Sequence, residues 1–229
     1  MKRVLLFLLT FHLLIVFCSC NTVSNRPLEI NNILLGTDPN SLYTAYNIFY
    51  ENKLNISSIN YKYPKMIPLG TKIRNIEIQK NLISFDLDNP AATHVVINYV
   101  EKWGRQPIEC FVRELISNKT QAELLRGVPK NIQANILCGN PQVGMTRHQL
   151  ELTLGPPSRH KTPLKSANTW TYWLDKRRTI NIVFGANGKV AHISNYLNPT
   201  SPQLGNNTTT PDSIPAQTLN ILRRKFHIK

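Results

Sequence analysis

The residues most able to do chemistry in this 229-residue chain are its four cysteines. A thiolate is a nucleophile, a metal ligand or half of a disulfide, and the spacing of cysteines helps to distinguish these roles. Cys18 and Cys20 lie near the start of the chain, whereas Cys110 and Cys138 lie in its middle. Because no Cys-x-x-Cys pair occurs, the spacing does not indicate a zinc site.

The histidines also lack the patterns that are typical of catalysis. None of the six belongs to a His-Glu-x-x-His motif, and the chain has neither a Gly-x-Ser-x-Gly motif nor a phosphate-binding loop. No histidine pattern near Cys110 or Cys138 favours a catalytic thiol. The sequence therefore predicts a protein that is not an enzyme and that carries no cofactor or metal.

The first residues have the layout of an export signal. Lys2 and Arg3 precede an apolar run over residues 4–17 that only Thr10 and His12 interrupt. At about 1.5 Å per residue the run spans roughly 21 Å as a helix, less than the roughly 30 Å hydrocarbon core of a bilayer. Residues 1–19 are therefore predicted to be a signal peptide.

The pair Ser19-Cys20 after this run resembles the lipobox of bacterial lipoprotein precursors. The resemblance implies that Cys20 becomes the acylated N-terminus, and more than one acyl chain gives stable membrane anchoring. Asn21 rather than Asp follows, which in this class implies delivery to the outer membrane, facing the periplasm. An ordinary secretory signal and an uncleaved anchor are the alternatives.

The formal net charge of +14 favours an anionic partner, and export decides which kind. Nucleic acid is excluded by location, which leaves acidic proteins and anionic phospholipid. An oxidising compartment also makes Cys110 and Cys138 a candidate disulfide, whose loop of roughly 28 residues would contribute about 3–4 kcal/mol. Two buried free thiols are the alternative.

The mature chain divides into four predicted segments. Residues 20–40 are a tether, residues 41–129 an N-terminal β-rich domain with helices, residues 130–197 a second domain, and residues 198–229 a disordered basic tail. In the first domain, runs over 56–63, 72–78, 82–87 and 93–100 predict a small antiparallel β unit, broken at 64–70, 80–81 and 88–90. Residues 42–50 fit either a helix or a strand.

Bridging helices follow this β unit. Apolar residues from Ile108 to Ile116 recur with helical spacing, and Thr120 with Glu123 forms a candidate capping box. A further helix begins after Pro129 and ends at Gly139.

The second domain has the clearest pattern. Thr146 and Gln149 form another capping box, and Gly155 ends that helix. Strands are predicted over 169–174, 179–184 and 190–194, with turns at 175–178 and at 187–188. The fold class is therefore α+β: a small N-terminal antiparallel β unit with bridging helices, then a helix hairpin with a three-stranded antiparallel sheet.

A set of short motifs in this second domain resembles the SmpA/BamE (OmlA-like) family of outer-membrane lipoproteins. The motifs are Gly-Met-Thr-Arg-x-Gln at 144–149, Leu-Gly-x-Pro at 154–157, Trp-x-Tyr at 170–172 and Phe-x-x-Asn-Gly-Lys-Val at 184–190. The resemblance implies a helix hairpin packed on a three-stranded antiparallel sheet. The best-known member is an accessory subunit of the machinery that inserts β-barrel proteins into the outer membrane.

Basic residues are densest in this domain, where residues 140–197 contain eight Lys or Arg against two Asp or Glu. Near a membrane surface each contributes about 1 kcal/mol of attraction to anionic headgroups. The alternative is a basic surface that only confers solubility. The candidate contacts with anionic lipid or a partner are Arg159, Lys161 and Lys165 in one loop and Lys176, Arg177 and Arg178 in a turn.

The leading hypothesis is a non-enzymatic outer-membrane lipoprotein that supports envelope or β-barrel protein assembly. Its expected partners are barrel-assembly subunits or other envelope proteins, together with anionic phospholipid. The alternative is an envelope lipoprotein whose N-terminal β domain is a ligand or cell-wall binding module. A third hypothesis is an inhibitor of enzymes.

Overall fold

The computed structural model describes residue 38 and residues 40–194, and its elements there are mixed α and β, as predicted. In chain order they are β1 (Leu42–Thr44), β2 (Ile48–Tyr50), β3 (Ile56–Ser57), β4 (Lys65–Ile67), β5 (Lys72–Gln79), β6 (Leu82–Leu87), β7 (His94–Asn98), α1 (Glu101–Gly104), α2 (Ile108–Leu115), β8 (Ile116–Ser117), α3 (Gln121–Leu124), α4 (Lys130–Leu137), α5 (Arg147–Leu154), β9 (Thr169–Trp173), β10 (Thr179–Phe184) and β11 (Val190–Ser194).

A six-stranded sheet in the order β3-β7-β6-β5-β1-β8 forms the first lobe together with α2. The alternation in β6 buries Ile83, Phe85 and Leu87, because successive side chains of a strand point to opposite faces. Phe111 and Leu115 on the apolar face of α2 belong to the same core. The predicted strand alternation and the apolar helix stripe are confirmed.

Three details of the N-terminal β unit differ from the sequence prediction. β3 pairs parallel to β7, with Ile56 opposite Ile97, so the β unit is not wholly antiparallel. The predicted strand over 56–63 retains only two residues in β3. The predicted break at 64–70 contains β4, which pairs with β2. These are pairings between distant segments, which local residue patterns do not encode.

The second lobe consists of α4, α5 and an antiparallel sheet in the order β11-β10-β9. Thr146 and Gln149 form the predicted capping box, and Gly155 follows α5 with φ 78°. Trp170 and Ile182 from the sheet pack in one core with Leu150 from α5. The two helices also pack against each other.

Two asparagines of the first lobe cap the helices of the second. The buried Asn47 Nδ2 donates to Ile136 O at 2.6 Å and to Thr153 O at 3.1 Å, which are carbonyls in the last turns of α4 and α5. Asn60 Nδ2 donates to Leu154 O at 2.9 Å. Such terminal carbonyls have no partner within their own helix, so the two lobes complete each other.

The second core also receives side chains from the segment that the sequence assigned to the first domain. Phe49, Leu69 and Leu125 pack in it beside the sheet residues. The described residues accordingly fall within a single compact unit. The lobes share apolar burial as well as hydrogen bonds.

Candidate functional site

Glu114 on α2 is the centre of an ion-pair network between the lobes. Its Oε1 lies 3.1 Å from Arg159 Nη2 and 3.3 Å from Lys165 Nζ, and Lys165 Nζ lies 2.8 Å from Glu151 Oε1. Burial disfavours the Glu114 carboxylate, but the Gln106 amide and the two cations outweigh burial and lower the pKa of Glu114. Two carboxylates and two cations therefore neutralise one another.

This network changes the role of two predicted lipid-contact residues. Arg159 and Lys165 do not project freely towards an anionic surface, because both are held by Glu114. Arg178 is also paired, with its Nε 2.7 Å from Asp175 Oδ2. Hydrogen bonds from the backbone of Arg177 and from Arg178 lower the pKa of Asp175 to about 2.

The other three predicted residues are Lys161, Lys176 and Arg177. All three are exposed, and none has an ion-pair partner among the described residues. Lys161 Nζ lies 5.7 Å from the ring centroid of Trp173, within the range of a cation–π contact. Lys176 and Arg177 follow Trp173 in the turn between β9 and β10. In the chain, this turn therefore comes directly after the strand that carries the indole contacted by Lys161.

That indole belongs to a cluster of three rings, Trp103, His160 and Trp173, which we call the indole–imidazole cluster. The His160 ring lies 4.6 Å from the Trp103 ring and is stacked at 5.8 Å on the Trp173 ring, measured between centroids. His160 N donates to Trp103 O at 3.2 Å. The cluster joins the loop after α5 to α1 and β9.

The electrostatics of the cluster favour a neutral imidazole. Burial is the main cause that lowers the pKa of His160, and the nearby charges of Lys161 and Arg105 act in the same direction. A hydrogen bond to the backbone of Trp103 opposes them in part. Two buried nitrogens, His160 Nε2 and Trp173 Nε1, have no hydrogen-bond partner among the described residues.

Beside this cluster lies a cleft with a volume of about 390 Å³, which is within the size range of small-ligand sites. Its walls combine aromatic rings with side-chain amides, and we call it the aromatic–amide cleft. It is lined by Glu51, Asn52, Asn55, Ser57, Ile59, Tyr61, Tyr63, Asn98, Val100, Trp103 and Lys176.

The chain builds this cleft by alternation. In the segment 57–63 every odd-numbered residue lines the cleft, including Tyr61 and Tyr63. The even-numbered residues point elsewhere: Asn60 caps α5, and Lys62 Nζ lies 5.2 Å from the ring centroid of Phe49. The sequence predicted this alternating run as a strand. In the structure most of it is irregular, and two of its tyrosines line the cleft.

Cys110 and Cys138 are free thiols in the structure. Cys110 is half-buried on α2, and Cys138 is exposed at the end of α4. The candidate disulfide is therefore not formed, and the alternative of two buried thiols is wrong for Cys138. Since the two helices pack in different cores, the sequence spacing alone could not decide the pairing.

Among the described residues, no group of three or more His, Cys, Asp or Glu side chains is arranged to hold a metal ion. Within the same residues, no helix has the length and apolar character needed to cross a bilayer. The predicted signal peptide, the acylation at Cys20, nearly all of the tether and the basic tail lie outside the described residues.

Comparisons with known proteins produced no match. No family model matches the chain, and neither a curated protein nor a solved structure matches it.

Proposed function

We propose that the chain is a non-enzymatic lipoprotein of the outer membrane that faces the periplasm and supports envelope or β-barrel protein assembly. In this proposal Cys20 carries the lipid, and the protein body contacts anionic phospholipid and protein partners. The observation that carries the proposal is the cation–π contact of the exposed Lys161 with Trp173 of the indole–imidazole cluster, together with the exposed Lys176 and Arg177 in the turn that follows Trp173. Exposed cations beside indole rings are suited to a membrane interface.

The arrangement of the second lobe supports the finer part of this proposal. Two packed helices and a three-stranded antiparallel sheet share a core, and the lobe contains the motifs from 144 to 190 that resemble the SmpA/BamE family. We propose that this lobe is a BamE-like domain. Its matched residues cap, turn and pack, so they support the fold more strongly than a particular partner.

A vesicle assay tests the proposed membrane contact. The Cys20→Ser variant of the full chain removes the acylation site, so binding then depends on the protein surface. We expect it to sediment with vesicles that contain phosphatidylglycerol and not with pure phosphatidylcholine, and to dissociate as salt increases. Adding Lys161→Ala and Arg177→Ala should weaken binding by more than about tenfold, at about 1 kcal/mol per basic residue.

The matched control removes the same charge from exposed lysines elsewhere, as Lys119→Ala with Lys130→Ala. Equal losses in the two double variants would show that only net charge matters and would contradict a specific face. The anchor is tested in cells, where Cys20→Ser should move the protein from the membrane fraction to the periplasmic fraction. Unchanged membrane association would contradict lipidation at Cys20.

The aromatic–amide cleft favours a second candidate function, a ligand or cell-wall binding module in the N-terminal β lobe. Most of its lining comes from residues 51–63, Asn98, Val100 and Trp103, and only Lys176 comes from the second lobe. In this alternative the second lobe is a scaffold for the binding site.

A further inference from the structure

The aromatic–amide cleft contains hydrogen-bonding groups that the fold leaves unused. Asn98 Nδ2 donates to Asn55 Oδ1 at 2.8 Å, which orients the two amides. Asn98 Oδ1 and Asn55 Nδ2 then have no partner among the described residues. An acceptor and two N–H donors are thereby available side by side at the cleft.

Two tyrosines supply the apolar part of the same cleft. The rings of Tyr61 and Tyr63 lie 6.0 Å apart between centroids at an interplanar angle of 62°, and Tyr61 also contacts the Trp173 ring edge-on at 6.5 Å. These ring contacts restrict the side chains, which reduces the entropy lost when a ligand binds. Burial raises the pKa of both phenols, so their hydroxyls remain protonated donors.

The charges of the cleft fit a neutral ligand. Of the residues that line it, only Glu51 and Lys176 are charged, and their charges are opposite. A polyanion would find one cation and one opposing carboxylate. Glycoside hydrolysis normally requires a pair of carboxyl groups, whereas this lining offers one. The chemistry therefore fits binding without cleavage.

We propose that the aromatic–amide cleft binds a neutral oligosaccharide. The apolar C–H face of a pyranose ring packs on Tyr61 or Tyr63, and its hydroxyl or acetamido groups hydrogen bond to Asn55 and Asn98. Aromatic faces and side-chain amides together match a sugar ring, which is apolar on its faces and polar around its rim. The inference rests on the second candidate function, a ligand-binding N-terminal lobe.

Calorimetric titration of the full chain tests this proposal. The protein is kept in a polyoxyethylene detergent, since detergents with sugar headgroups would compete. The probes are chitotetraose, which has acetamido groups, and cellotetraose, which has hydroxyls only, so the two titrations distinguish the two kinds of sugar. We expect a dissociation constant of about 1 mM or tighter for at least one of them.

Variants of the cleft give the decisive comparison. Tyr61→Ala should weaken binding about tenfold, whereas Tyr61→Phe, which keeps the ring, should stay within about twofold. Asn98→Ala should weaken binding about fivefold, through the lost amide. Tyr43→Ala is the matched control, because Tyr43 is a half-buried tyrosine of β1 that does not line the cleft. Thermal melting identifies any variant that does not fold.

Three results would overturn the inference. The first is no heat of binding with either sugar up to about 10 mM. The second is unchanged affinity in folded Tyr61→Ala and Asn98→Ala variants. The third is binding of an extended peptide but not of sugars, which would indicate strand addition beside β3. The vesicle assay uses Lys161 and Arg177, which do not line the cleft, so failure of one assay is distinguishable from failure of the other.

Discussion

The two lobes are assembled from contacts at different distances along the chain. In the second lobe β9, β10 and β11 pair in the order in which they occur, joined by turns at 175–178 and at 187–188. In the first lobe β1 lies between β5 and β8, and β3 lies beside β7. Closing these longer loops costs more chain entropy, so the first lobe depends more on tertiary contacts.

Local assembly does not make the second lobe independent. Carbonyl groups in the last turns of its two helices accept hydrogen bonds from the side-chain amides of Asn47 and Asn60, which belong to the first lobe. Its sheet meets a core that contains Phe49 and Leu69. The lobe with the clearest sequence pattern is therefore completed by the lobe with the less distinct one. Substitutions where the two lobes meet should therefore lower the stability of both lobes.

The largest effect is expected from Asn47→Asp at this junction. A carboxylate there would face Ile136 O and Thr153 O, two buried acceptors, where the amide now donates. We expect the free energy of unfolding to fall by about 3–5 kcal/mol, measured by urea denaturation. Because both lobes should be lost together, intrinsic fluorescence and far-ultraviolet circular dichroism should report one transition.

The control for this substitution is Asn131→Asp, which places the same charge on an exposed residue in the first turn of α4. An exposed negative charge near a helix N-terminus leaves the free energy of unfolding unchanged or raises it by about a few tenths of a kcal/mol. If Asn47→Asp cost no more than this control, the asparagine caps would not couple the lobes.

An intermediate effect is expected from Glu114→Gln, which removes the charge between α2 and the loop after α5. Arg159 and Lys165 are 38% and 49% exposed, so solvent screens part of the interaction. We expect a loss of about 1–2 kcal/mol near neutral pH. The folded-state pKa of Glu114 is lowered, so this stabilisation is present above the usual value of 4.5 and is lost as the pH falls through the folded-state pKa.

Urea denaturation of both proteins between neutral and acidic pH measures that dependence. The difference between wild type and Glu114→Gln should shrink on acidification. Glu109→Gln is the control on the same helix, where no ion pair involves the carboxylate among the described residues. A difference that grows with acid would contradict the assignment.

The smallest effects should come from the two capping boxes. Thr146 Oγ1 accepts from Gln149 N at 3.2 Å, and Thr120 Oγ1 accepts from Glu123 N at 3.4 Å. We expect Thr146→Ala to cost about 1 kcal/mol, and Thr120→Ala about half of that. The reason is that α5 buries four residues, whereas no residue of the four-residue α3 is buried.

Thermal unfolding checks the global effect, and amide hydrogen exchange checks local fraying of α3. Thr146→Ser, which retains the hydroxyl, should stay close to wild type. Equal losses of stability in Thr120→Ala and Thr146→Ala would show that tertiary packing does not change how much a helix cap stabilises the protein.

The candidate site shows which of its features can be predicted from residue patterns. The charge of Lys161, Lys176 and Arg177 was visible in the sequence, and the contact of Lys161 with the Trp173 indole was not. Tyr61 and Tyr63 lay in a recognisable alternating run, but nothing local related that run to Asn98. Arg159 and Lys165 had the same apparent role as Lys161 until Glu114, about 45 residues away from Arg159, proved to hold them.

The sequence by itself determined features that depend on neighbours within a few residues. These include the capping boxes at Thr120 and Thr146, the end of α5 at Gly155, the hairpin at 187–188 and the α+β class. Only the tertiary structure decided the parallel pairing of β3, the free thiols, the caps from Asn47 and Asn60 and the cleft. The physical reason is that caps and turns form hydrogen bonds between residues that are close in the chain. The other features bring together residues that are far apart in the chain, and the packing of the whole core offsets the entropy lost in closing those loops.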